Sequence, residues 1–163
     1  MKIQPYIDKL KNSKEFEKFK LTNPNAYFSA GFFVLDLESG KNMHQIDYYI
    51  PKKNKIATFV LDEGIELKES EISNGKIPKE ISSKIKIDLD ILKGIVEDEM
   101  KNHTITNKIQ KIIAIIHNSE GKLLWNLNCI TTDMGIIKVH LDDDSHSVLK
   151  FERVNLFDIV RKM

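Results

Sequence analysis

Cysteine is almost absent from this 163-residue chain: Cys129 stands alone. It can form no internal disulfide, which removes the disulfide-stapled secreted scaffolds and fits a reducing compartment. Arginine is nearly as scarce, occurring only at Arg153 and Arg161, although bidentate reading of phosphates and base edges is mainly arginine chemistry. Seven glycines and four prolines are too few for a collagen-like or low-complexity chain. The longest apolar run is Ile112–Ile116, far short of the ~20 residues that cross a bilayer as a helix. In Met1-Lys2-Ile3-Gln4-Pro5-Tyr6 a polar break interrupts the stretch that a secretory leader needs to be apolar. The expectation is a cytoplasmic protein without a membrane partner.

What is present describes an ordinary folded chain. Apolar residues make up 41% and charged residues 30%, enough to bury a core at this length. The formal charge of +1 gives no global electrostatic reason to meet nucleic acid, which is therefore not the expected partner.

Tyr6, Ile7, Leu10, Phe16 and Phe19 share one face at helical spacing, loosened at Asn12-Ser13 and stopped by Asn23-Pro24-Asn25. Strands are predicted over 26–37, 44–50, 56–61 and 65–68, with turns at Glu38-Ser39-Gly40-Lys41 and Lys52-Lys53-Asn54. After a weakly periodic connector the order recurs. Asp88 or Asp90 caps a helix carrying Ile91, Leu92, Ile95 and Val96, and strands follow over 111–117, 123–130, 136–141 and 148–154. Glu38-Ser39-Gly40-Lys41 lies against Ser119-Glu120-Gly121-Lys122, and His44-Gln45-Ile46-Asp47-Tyr48 lies against Trp125-Asn126-Leu127-Asn128-Cys129. After one residue of slippage, residues 55–62 lie against 135–142. Agreement in turn chemistry, strand polarity and a terminal Leu-Asp points to an internal duplication. The expected fold is α+β, made of two diverged helix-plus-antiparallel-meander repeats packed together. Residues 1–72 form the first, 73–86 a connector, 87–154 the second and 155–163 a short C-terminal helix.

The Trp that opens the second strand of the later unit (Trp125-Asn126-Leu127) and the Val139-His140-Leu141-Asp142 that closes its third resemble the PepSY-like group of the cystatin-like architecture. Ile46-Asp47-Tyr48-Tyr49-Ile50-Pro51 and Trp125-Asn126 are similar to uncharacterised proteins of small-genome archaea. The resemblance implies an inhibitory or binding module.

No residue pattern carries strong chemistry. His140 to His146 gathers carboxylates and imidazoles, but Ser147 stands where a calcium loop needs glycine and Arg153 where it needs an acid; an acidic turn is the better reading, and no metal or cofactor is expected. Cys129 alternates with Trp125 and Leu127, as a buried structural thiol would, although His117 or His140 could serve it as a base. Neither Gly31 nor Gly94 belongs to a phosphate loop. Glu97 and Glu99 lie on a solvated helix face. Tyr27, Phe28, Phe32 and Phe33 could stack bases, but apolar residues on both strand faces more often mark a central strand covered on both sides. That cover would come from the other repeat or from a second subunit in a homodimer.

The leading expectation is a non-enzymatic binding or regulatory module for a protein or peptide, with no catalytic residue. If His44, Ile46, Tyr48, Trp125, Leu127 and Cys129 face the helices, then Gln45, Asp47, Tyr49, Asn126 and Asn128 face away as a polar ladder, and these five are the candidate binding residues. The rivals are a small hydrolase or isomerase between the repeats, using His44, Asp47 and Tyr48 or Tyr49, and a nucleic-acid binder using Lys52-Lys53-Asn54-Lys55.

Overall fold

The computed structural model describes residues 2–72, 75–82 and 84–155, with the side chain of Asn155 left aside. The first helical stretch is two helices, α1 (Gln4–Lys11) and α2 (Lys14–Thr22), because Ser13 ends one and caps the other: its hydroxyl accepts the Phe16 N–H at 3.1 Å. A meander follows: β1 (Tyr27–Asp36), β2 (Met43–Ile50), β3 (Lys55–Val60) and β4 (Glu66–Glu71). Then come α3 (Leu89–Asn102) and a second meander, β5 (Ile109–Ser119), β6 (Lys122–Thr131), β7 (Gly135–Asp142) and β8 (Val148–Asn155). Of the short C-terminal helix expected at 155–163, Asn155 ends β8 and the rest lies outside the described residues.

The fold is α+β, and all eight strands form one antiparallel sheet in the order β4-β3-β2-β1-β5-β6-β7-β8. The two meanders meet edge to edge through β1 and β5, where Ala30 to Asp36 pair with His117 to Lys111. The expected face-to-face covering of the first strands by the other half does not occur. An edge joined by seven paired positions satisfies backbone N–H and C=O groups that each meander would otherwise leave open.

All three helices pack on one side of this sheet. Leu89, Leu92, Val96 and Met100 recur at helical spacing on α3 and are buried in one cluster with Leu10, Phe19, Phe33, Ile46, Phe59, Ile112, Trp125, Leu127, Cys129 and Val139. Phe16 and Phe19 of α2 set their rings against Tyr48 and Phe59, and Tyr6 of α1 stacks on His44 at 3.8 Å between ring centroids. Phe33 of β1 reaches Trp125 of β6 across the seam, 6.1 Å between rings. Gly31 is needed beside it, since a Cβ there would come within 2.8 Å of the Phe33 ring.

Two carboxylate ties, a solvent-accessible one at Asp62 and a buried one at Asp143, hold the core. Asp62, just past β3, accepts the His44 N–H at 2.8 Å and contacts its Nδ1 at 2.7 Å. Asp143, just past β7 and 1% exposed, accepts the Trp125 indole N–H at 3.0 Å and the backbone N–H groups of Lys86 and Ile87 at 2.8 and 3.0 Å. It thereby fastens the end of the connector to the second meander. Earlier, the connector crosses the sheet's end, taking the Tyr27 hydroxyl proton at Pro78 O and giving the Ile81 N–H to Phe28 O.

Trp125 is 0% exposed, so Trp125→Ala should lower stability by about 3 to 5 kcal/mol, the range of large core truncations. Asp143→Ala strands three donors and should cost about 3 kcal/mol. Urea unfolding of both variants measures this; an Asp143→Ala midpoint equal to that of the wild type would show that the carboxylate ties nothing.

Candidate binding face

Strand alternation divides every strand between two faces. Opposite the helices, the paired registers lay out rows that cross the sheet. The central row reads Val60, Gln45, Phe32, Ile115, Asn126 and His140. On one side of it lie Thr58, Asp47, Ala30, His117, Leu124 and Asp142, and on the other Met43, Val34, Ile113, Asn128 and Lys138. These side chains are half-buried, apart from the exposed Lys138, because neighbours on the same face shield them while no helix among the described residues lies above. Phe32, Val34, Ile113 and Ile115 form an apolar centre across the β1–β5 seam.

The polar ladder is thus split. Gln45 and Asp47 stand on β2, Asn126 and Asn128 on β6, and three strand spacings, roughly 14 Å, separate the two columns. The amides of Asn126 and Asn128 make no hydrogen bond among the described residues, while Gln45 Nε2 meets only Met43 Sδ at 3.6 Å. Asp47 accepts the Thr58 hydroxyl at 2.8 Å. Burial pushes its carboxyl above the ordinary value, and the Thr58 bond pulls the other way. It floors a shallow pocket of about 380 Å³ walled by Ile56, Thr58, Glu71, Lys76 and Pro78. Tyr49 leaves the ladder: it is 4% exposed, packed beside Tyr27, and its hydroxyl donates to Asn54 Oδ1 at 2.6 Å. Strand alternation could not foretell this, because Tyr27 and Asn54 close over the ring.

His117 and His140, candidate bases for Cys129 by sequence, stand on this face, while Cys129 is on the other. His117 Nε2 is buried without a hydrogen-bond partner. His140 is held below its ordinary value by burial and then by Lys150, His117 and Lys138.

The other sequence candidates separate. His44 and Tyr48 point to the helices while Asp47 and Tyr49 point away, so the proposed hydrolase group lies on opposite sides of the sheet. Cys129 is buried, and desolvation pushes its thiol up to about 12. Lys53 and Lys55 pair with Glu69 and Glu71 of β4, which offsets two of the three lysines of the basic turn. Phe33 is buried against the helices, whereas Phe32 lies on the open face, so the four aromatics form no single platform. The acidic turn holds Asp143 inside the core and pairs Asp144 with Lys86; among the described residues no group of three or more metal-ligating side chains could hold an ion. No helix among the described residues is long and apolar enough to cross a membrane.

Fold and face together define an α+β protein whose antiparallel sheet, among the described residues, carries helices on one side only. No family model and no curated protein matches the chain. Among solved structures, one similar chain is a "putative lipoprotein" from Clostridium difficile 630, with a TM-score of 0.55 and 11% identity over 85% of this chain and 90% of that one. At this identity the likeness shows the fold alone.

Two measurements check the electrostatics. Since folding raises the Asp47 value, the folded state binds more protons than the unfolded chain above the ordinary Asp range, and stability falls as pH rises through that window. Asp47→Asn should therefore melt higher than the wild type at pH 7, with the gap closing below about pH 4. A constant gap in thermal scans across pH would refute the assignment. Cys129 should resist maleimide labelling in the native protein and react at once in denaturant.

Proposed function

We propose that this chain is a non-enzymatic binding or regulatory module that meets a protein partner through its open sheet face, and that it arose by duplication of one PepSY-like helix-plus-meander unit. The observation that carries the first part is the face itself: an apolar centre of Phe32, Val34, Ile113 and Ile115, flanked by polar columns at Gln45, Asp47, Asn126 and Asn128. Apolar cores with polar rims are the anatomy of protein interfaces, and contiguous apolar patches of several hundred Å² mark interaction sites.

The registers support the duplication. A twofold axis normal to the sheet between Phe32 and Ile115 exchanges Gln45 with Asn126 and Val60 with His140. The same rotation exchanges Asp47 with Asn128, Thr58 with Lys138, and His44 with Trp125. The two carboxylate ties follow it as well, with one inserted residue before Asp143: each follows the third strand of its meander and holds a residue of the second, His44 or Trp125. In this reading residues 1–72 and 87–154 are the copies and 73–86 the link.

Phe32→Asp places a charge at the centre of the face and should abolish partner retention by the tagged chain in native lysate, while far-UV circular dichroism stays native. Leu21→Asp, at a residue 79% exposed on α2, should retain the partner in full. Equal retention by both variants would move the contact surface elsewhere.

A further inference from the structure

We propose that the partner on the open face is a second copy of this chain, the two sheets packing face to face as an isologous dimer. The inference rests on reading that face as an interaction surface and adds the occupant.

Size is the first argument. Each open-face position occupies about 4.8 Å across the strands and about 6.8 Å along them, so the roughly twenty positions from β3 to β7 cover about 700 Å² before corrugation is counted. A stable interface buries about 800 Å² per partner. An extended peptide, one strand wide, would cover only a fraction of this area and leave either Phe32 or Ile115 beside water.

Symmetry and charge favour self-pairing over a foreign surface. An isologous contact requires one patch to complement itself, and like charges set opposite one another are what most often forbid it. The central row and its apolar neighbours, from Val60 through Phe32, Val34, Ile113 and Ile115 to Asn126, carry no Asp, Glu, Lys or Arg. Charges stand outside that row, at Asp36, Asp47, Lys111, Lys138 and Asp142. The amides of Gln45, Asn126 and Asn128 act as both donor and acceptor, so they can pair with one another across a self-complementary contact. A formal charge of +1 adds no long-range repulsion between copies. Face-to-face stacking about 10 Å apart is also the common way for an antiparallel sheet to bury a second apolar face.

Light scattering during size exclusion of the purified full chain at about 50 µM should give twice the monomer mass, and Phe32→Asp with Ile115→Asp should give the monomer, with the dissociation constant raised about 100-fold or more. Leu21→Asp should stay dimeric. Should the double variant fail to fold, Ile115→Cys supplies the second measurement: the native Cys129 is buried, so a short bis-maleimide should join copies through position 115 only. A wild-type chain that is monomeric and leaves Ile115→Cys uncrosslinked overturns self-pairing; if Phe32→Asp still abolishes retention of a different protein from lysate, the open face survives as a binding surface with another occupant. A dimer unaffected by the double substitution overturns the proposal as well, and unchanged lysate retention in the same variant would remove the face from function altogether.

Discussion

The antiparallel seam between β1 and β5 is the contact on which the rest of the molecule depends. Each meander alone would carry a long apolar edge strand with unpaired backbone groups, and such edges recruit other chains. Joining the edges satisfies both ladders at once and brings Phe33 within reach of Trp125, so the two halves share a single core. The outer edges then fall to β4 and β8, where Glu66, Lys68, Glu69, Lys150, Glu152 and Arg153 keep charge along the exposed ladder, a usual defence against strand addition.

The seam also fixes where the open face lies. Because β1 and β5 pair in register at Phe32 and Ile115, the helices of both halves emerge on the same side, and every outward-facing residue of eight strands is gathered on the other. A face-to-face arrangement of the halves would have hidden Phe32, Val34, Ile113 and Ile115 inside the chain. Edge joining leaves them half-buried at the centre of the sheet, where burying their remaining apolar area would still release hydrophobic stabilisation.

Most elements were legible before the structure, for reasons that differ along the chain. The strands carried apolar residues at period two between turn residues, and α3 carried Leu92 and Val96 at helical spacing, so local sequence sufficed. The break between α1 and α2 was foreshadowed by Asn12-Ser13, whose capping chemistry acts within one turn. The role of Asp143 was invisible: a run of three aspartates reads as a solvated turn, and only the arrival of Lys86, Ile87 and Trp125 from distant positions supplies the donors that let one carboxylate be buried. Tyr49 illustrates the same limit, since alternation placed it on the outward face and could not foresee Asn54 and Tyr27 closing over it.

The sequence by itself determined which side of each strand faces the helices, because a period of two leaves no freedom once one face is apolar. It likewise determined that Gln45, Asp47, Asn126 and Asn128 point the other way. Only the tertiary structure decided how the two meanders meet: pairing between β1 and β5 joins residues some 80 positions apart, and no local pattern encodes a partner at that distance. That choice separated the polar ladder into two columns and set an apolar centre between them, and so turned a set of outward-pointing side chains into a surface.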